Sequence, residues 1–210
     1  MNSYRIALIG NPNCGKTTLF NALTGSHQKV GNWPGVTVEK KIGTFTAEKR
    51  DCLIVDLPGI YSLEQDYLGL DEKIARDYLT AGEFDVILNI IDAGNLQRNL
   101  ILTQQLLELG LPVVVAVNML DVAEREGITV DTESLADHFG APVAPIIASK
   151  QQGLDDLLVQ LFTADATGRK TEVLTNEEFV GDKIIKRYQR AETIVNGAVH
   201  NEVKYNGETE

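Results

Sequence analysis

The chain has 210 residues, a formal net charge of -11 and a sequence pI near 4.7. An acidic surface repels phosphodiester backbones, so wholesale binding to nucleic acid is disfavoured. The 43 % hydrophobic and 23 % charged content is that of a soluble globular chain. No apolar run approaches the roughly 20 residues needed to cross a bilayer.

The N-terminus has no signal-peptide core and runs straight into the apolar strand Arg5-Ile6-Ala7-Leu8-Ile9. Gly10-Asn11-Pro12-Asn13-Cys14-Gly15-Lys16-Thr17 follows, and Thr18 to Leu23 reads as a helix. Strand, G-x-x-x-x-G-K-[ST] and helix, in that order, are the context of a phosphate-binding loop. Glycines at both ends let successive backbone N–H groups turn inward as a nest for phosphate oxygens. The helix aims its positive end at the same place. Lys16 adds a charge on the β- and γ-phosphates, the Thr17 hydroxyl ligates Mg²⁺, and Thr18 completes the cradle.

Gly25 to Thr37 is polar, and Gly31, Pro34 and Gly35 break any regular element there. Val38 to Phe45 and Cys52 to Val55 read as strands, the second closed by Asp56-Leu57-Pro58-Gly59. Leu63 to Leu70 is loop-like, and Asp71 is a candidate cap for a helix through Thr80. Val86 to Ile91 is a strand and Leu96 to Leu109 a helix ended by Gly110. Pro112 to Val117 is a strand without alternation, as expected when both faces are covered. Thr132 to Phe139 is a short helix, Val143 to Ala148 the last strand and Leu154 to Phe162 the last helix of this unit. The alternation predicts an α/β fold, a mostly parallel sheet with helices on both faces. Residues 1–165 form the nucleotide-binding domain. Residues 166–210 are a linker, a short helical appendage over Phe179 to Val195 and a polar tail.

Cys14 and Cys52 suggest neither a disulfide framework nor a metal cluster, and His27, His138 and His200 lack ligand spacing. A reduced compartment fits, with Cys14 read as a small filler rather than a redox group.

Three further stretches turn phosphate binding into guanine-nucleotide chemistry. Asp56, at a strand end, holds a Mg²⁺-bound water, and the Gly59 N–H meets a γ-phosphate. Thr37 closes over Mg²⁺ when that phosphate is present. Asn118-Met119-Leu120-Asp121 ends another strand. An ionised Asp121 accepts hydrogen bonds only, and guanine offers it N1–H and N2–H₂, whereas adenine offers a lone pair. The mismatch selects G over A by several kcal/mol. The order of these stretches, at strand ends beside a phosphate loop, makes a GTP/GDP switch the leading reading. Ala148-Ser149-Lys150 either supports the guanine O6 with its backbone or is simply a close-packed strand exit.

With those residues in hand, the chain resembles the cytosolic GTPase domain of the bacterial ferrous iron transport protein B family. The likeness runs from Met1 to about Phe162 and is carried by Ile9 to Asn21, Val30 to Glu39, Val55 to Leu63, Asp71 to Leu79 and Asn118 to Asp121. Within it, Asn32-Trp33-Pro34-Gly35-Val36-Thr37-Val38-Glu39 is far more specific than the generic signatures. The resemblance implies a P-loop NTPase of the Ras-like GTPase class. Its first switch is Gly31 to Glu39, including Gly35, Val36 and Thr37, and its second runs from Asp56 to roughly Leu70. Asn118, Met119 and Asp121 read the base. Ile60 stands where many GTPases carry a water-orienting glutamine. The family's substitute is a K⁺ held partly by the residue matching Asn13, beside Lys16, Thr37 and Gly59 as the catalytic set.

The implied function is a slow, K⁺-stimulated, Mg²⁺-dependent GTPase regulating ferrous iron uptake. It would act at the cytoplasmic face of the bacterial inner membrane, through a C-terminal membrane permease domain absent from this chain. The rival is a ribosome- or tRNA-directed assembly GTPase of similar motif order, and a third reading is a pure binding module. Trp33 either shields nucleotide or packs. Phe179, Ile184, Ile185, Tyr188, Ala191 and Val195 predict one apolar helical face, with Lys183, Lys186, Arg187 and Arg190 elsewhere. That face folds back on the core or forms a homo-oligomer, possible also by exchange of an element, and self-association is the favoured reading.

Overall fold

A computed structural model describes residues 3–64, 69–165 and 184–201. The chain runs β1 (Tyr4–Gly10), α1 (Lys16–Thr24), β2 (Gln28–Asn32), β3 (Glu39–Ala47), β4 (Arg50–Asp56) and α2 (Leu70–Ala81). It continues through β5 (Val86–Asp92), α3 (Leu96–Glu108), β6 (Val113–Asn118), α4 (Leu120–Arg125) and β7 (Ile128–Val130). Then come α5 (Thr132–Phe139), β8 (Val143–Pro145), α6 (Leu154–Asp165), α7 (Ile184–Ala198) and β9 (Val199–Asn201).

Seven strands form one sheet in the order β2-β3-β4-β1-β5-β6-β8. β4, β1, β5, β6 and β8 are mutually parallel, and β2 and β3 add an antiparallel flap at one side. Alternate residues of the central strands serve two separate cores. Ala7, Ile9, Ile87, Val115 and Val117 face α2, α3 and α5. Ile6, Leu8, Leu88, Val114 and Ala116 face α1 and α6. Both faces are covered, so these strands read as continuous apolar runs rather than as alternating ones. This is a mostly parallel sheet with helices on both faces.

Several boundaries differ from the expectation, each for a physical reason. The stretch read as broken contains β2, whose residues are nearly all exposed and so carry no hydrophobic alternation. Asp71 lies in the first turn of α2, and Gly69 occupies the cap position. The last strand stops at Pro145, because Ile147 bridges to Gln152 and Ala148–Lys150 form a single 3-10 turn. α4 and β7 are too short to announce themselves by periodicity. Residues 65–68, the linker 166–178, the start of the appended helix at 179–183 and the tail 202–210 lie outside the described residues.

The appended helix keeps Ala191 and Val195 of the expected face on the core and corrects it at Ile185 and Tyr188. Ile185 and Tyr188 are exposed, while Arg187, Ala191, Ile194 and Ala198 are buried. That stripe seats on α3 and α5 of the same chain, which is the fold-back arrangement. Arg187 is buried because it meets two carboxylates, Glu108 Oε2 at 2.6 Å and Glu64 Oε1 at 2.6 Å. His200, expected in a polar tail, lies in β9, which pairs antiparallel with β7.

Candidate functional site

β1, β4, β5 and β6 end together, with Gly10 opposite Ile90, Leu8 opposite Asp56 and Asp92 opposite Asn118. The carboxyl ends of parallel strands are where such sheets bind ligands. Gly10 is required there, since a Cβ would lie 2.5 Å from the Ile90 carbonyl oxygen. The loop then folds on itself. Cys14 N–H donates to the Asn11 carbonyl at 3.4 Å, and Asn13 (φ 67) and Gly15 (φ 91) take left-handed backbone. The loop is held from outside as well. Asn11 Nδ2 donates to the Arg98 carbonyl at 3.3 Å, and Ile60 N–H to the Gly10 carbonyl at 3.2 Å.

The result is a cleft of about 590 Å³ lined by Asn11, Pro12, Asn13, Gly15, Lys16, Thr17 and Thr18, together with Gly59, Asp71 and Met119. Sequence reasoning placed all of these at the site except Asp71, which it took for a cap. Gly59 comes so close that an added Cβ would sit 3.3 Å from Pro12 Cα. Lys16 Nζ meets Asp56 Oδ1 at 2.5 Å, both side chains being largely buried. A buried ammonium and carboxylate in mutual contact are costly to separate unless new partners are supplied. A phosphate and a divalent cation are the partners that would satisfy both, and Thr17 beside them offers a hydroxyl. The donor set therefore fits Mg²⁺.

At the expected base end, Asn118 joins two loops. Its Nδ2 donates to the Cys14 carbonyl at 3.0 Å, and its Oδ1 accepts from Ala148 N–H at 3.0 Å. Its carboxamide thus ties the phosphate loop to the Ala148–Lys150 turn. Met119 (φ 62) caps α4 in left-handed backbone and lines the cleft. Asp121 pairs with Lys150 Nζ at 2.8 Å. The hydrogen bond from Lys150 holds the Asp121 carboxyl below the usual carboxylate range. The stabilisation from this exposed pair is present above the unfolded-state value and is lost as pH falls through the lowered one.

The first switch is not assembled at the cleft. Thr37 and Gly35 are exposed, Val36 is half-buried, and none of the three lines it. Trp33 is the reason the loop sits where it does. It is buried edge-on against Tyr78 at 5.6 Å, with Lys40 over its ring at 4.5 Å, and Trp33 N–H donates to the Val38 carbonyl at 2.9 Å. Trp33 therefore packs rather than covering the cleft.

Asn89 escaped sequence reasoning because it lies within an apolar strand. It is fully buried, donates to the Ile9 carbonyl at 3.3 Å and accepts from Thr103 Oγ1 at 2.7 Å, bracing the strand below the phosphate loop. Cys14 is buried, and desolvation pushes its thiol up to about 11 from an ordinary 9.0. The protonated form it favours stabilises the fold below pH 9.0, a contribution lost as pH rises towards that raised value. At pH 8 the thiolate fraction is about 100-fold below that of an unperturbed thiol. Alkylation of Cys14 by iodoacetamide should be slower by that factor in the folded chain than in urea. Similar rates in the two states would return the thiol to candidacy as a redox group.

A family model described as ferrous iron transport protein B matches residues 4–161. The chain belongs to that family. The Fe(2+) transporter FeoB of Escherichia coli K12 is 51% identical over 159 residues, 75% of this chain and 21% of that protein. The Salmonella typhimurium FeoB is 50% identical over the same shares. The chain thus spans about a fifth of the length of these curated relatives. Among solved structures, the cytosolic domain of L. pneumophila FeoB is 40% identical with a TM-score of 0.82, covering 94% of this chain and 100% of that one. The GDP form I of the T. maritima FeoB cytosolic domain is 30% identical with a TM-score of 0.84, covering 95% and 99%. Its GMPPNP form superimposes with a TM-score of 0.83. The fold is accordingly that of a P-loop GTPase domain, and membership of this family favours the iron-transport reading over the ribosome- or tRNA-directed one.

Proposed function

We propose that this chain is the GTP-binding and slowly GTP-hydrolysing domain of a ferrous iron transport protein. It would act at the cytoplasmic face of the bacterial inner membrane and regulate uptake through a permease domain outside these residues. The observation that carries the reading is the Asn118 tie, which holds the phosphate loop against the Ala148–Lys150 turn, whose Lys150 pairs with Asp121.

The chain's own residues divide the work. The backbone from Gly10 to Thr17 holds the phosphates, and Lys16 exchanges Asp56 for phosphate oxygens. Thr17 and Asp56 would hold Mg²⁺, while Asn13, exposed on the cleft, would hold K⁺. When bound, these cations supply positive charge against the phosphate oxygens. Thr37 reaches the site only if its loop moves. The Gly59 N–H faces the γ-phosphate end. Ile60 is fully buried and cannot orient water, so hydrolysis rests on positioning and charge, which keeps it slow. Asp121 accepts from guanine N1–H and N2–H₂ once Lys150 yields. Ala148 N–H already serves Asn118 and Lys150 N–H serves the Ile147 carbonyl, which leaves Ser149 N–H to support the guanine O6.

Base selection tests the reading. Asp121→Asn should weaken GTP binding and favour xanthosine triphosphate, because an amide donates to the xanthine C2 carbonyl that a carboxylate repels. Titration of both nucleotides into the variant decides it, and an undiminished preference for GTP would remove the base assignment. The cation is tested separately. Asn13→Ala should leave nucleotide affinity within a few-fold while erasing the difference between hydrolysis rates in K⁺ and Na⁺. A rate ratio that survives the substitution places the activating cation elsewhere.

A further inference from the structure

β2 is one edge of the large sheet and pairs only with β3. Its outer row of backbone donors and acceptors therefore has no strand against it among the described residues. Exposed edges invite pairing with other chains, and proteins usually blunt them with charged side chains (lysine above all), proline, bulges, covering elements or extreme shortness. The opposite edge follows that rule, since β8 is 3 residues long and ends in Pro145. β2 follows it only through Lys29. Gln28 to Asn32 holds no proline, keeps unbroken register with β3 and exposes Val30 to 61%.

The local charge is also inverted. β2 and the part of β3 facing it carry Lys29, Lys40 and Lys41 against Glu39 alone, on a chain of net charge -11. Glu39 is already taken by Lys41 at 2.9 Å, so neither Lys29 nor Lys40 has a carboxylate partner among the described residues.

We propose that β2 is a docking strand for an acidic extended segment of a partner protein, which adds to the sheet beside it. Backbone pairing along the free edge supplies affinity, and the side chains opposite Lys29 and Val30 supply selectivity. An acidic strand meets Lys29 with opposite charge, which cross-strand pairing favours. A second copy using the same edge would instead bring two lysine-bearing flaps together. β2 lies outside the nucleotide cleft but shares Gly31 and Asn32 with the stretch read as the first switch, so the test is run without nucleotide.

The probe is a short N-acetylated peptide alternating valine with glutamate, titrated into the full chain while amide exchange is followed by NMR. Exchange of the Val30 and Asn32 amides, which point away from β3, should slow at least roughly tenfold at saturation, as it does when backbone groups become paired. Lys29→Glu should weaken binding by roughly fivefold, the upper range for one exposed ion pair. The same peptide with alternate amide nitrogens methylated should lose binding, although its charge is unchanged. Equal binding by the methylated peptide, or by a version with lysine in place of glutamate, overturns the proposal. So does an absence of protection up to millimolar peptide. Protection that grows with protein concentration alone would assign the edge to a second copy and overturn it too.

Discussion

Gly15→Ala is expected to lower GDP affinity at least 100-fold and to destabilise the chain by about 3 kcal/mol. Two costs combine. Gly15 sits at φ 91, and left-handed backbone costs an L-residue about 1–2 kcal/mol. Its added Cβ would also lie 2.2 Å from Asn118 Nδ2, so the bond from Asn118 to the Cys14 carbonyl must break. Leaving such buried groups unsatisfied costs about 1–3 kcal/mol. The affinity loss follows because the displaced loop is the phosphate nest itself, and a hundredfold corresponds to about 2.7 kcal/mol. Gly82→Ala is the control. It too has left-handed backbone, at φ 64, but its Cβ would meet nothing within 4 Å. It should cost about 1–2 kcal/mol and leave affinity unchanged. Calorimetric titration with GDP and urea unfolding of both variants test this, and equal affinities for the two would contradict the account of the loop.

The second large effect is expected at the appended helix. Arg187→Ala should destabilise the chain by about 3 kcal/mol, because breaking a buried ion pair strands its partners. Arg187 is 5% exposed and Glu64 15%, with Glu108 at 29% the most solvated of the three. Adding Glu108→Gln to the variant should recover part of the loss, since the stranded charge is then removed. Amide exchange should quicken around Ala191 and Ile194, which lose their seat on α3. The effect should spread to the second switch. α3 holds Ser62 and Leu63 through Gln105, at 2.9 and 2.8 Å, one turn from Glu108. A loss below about 0.5 kcal/mol would mean that solvent screens the cluster as it does surface pairs.

Much of this was legible in the sequence, for reasons that differ by region. The phosphate loop could be read because its chemistry forces glycine at Gly10 and Gly15 and fixes the spacing to Lys16. The central strands could be read because two buried faces leave unbroken apolar runs. β2 was not legible, since an exposed edge carries no hydrophobic signal. The role of Asn118 was hidden for another reason. Its partners lie 104 and 30 residues away, and only the folded sheet brings them together. The helix face was mis-phased because Arg187 counts as polar in any periodicity, whereas two carboxylates from other elements make its burial tolerable. Asp71 looked like a cap because Asp residues commonly are caps, and Gly69 took that position instead.

The small β7–β9 ladder gives the domain a mechanical handle. Its three backbone pairs join Ile128 to Asn201, Thr129 to His200 and Val130 to Val199. Tension entering the chain at Asn201 therefore loads Ile128 first, immediately beyond the turn that closes α4. α4 carries Asp121 in its first turn. A pull on β9 thus has a short route to the Asp121 carboxylate that bypasses the large sheet, and from α4 it reaches the phosphate loop through the bond of Asn118 to the Cys14 carbonyl.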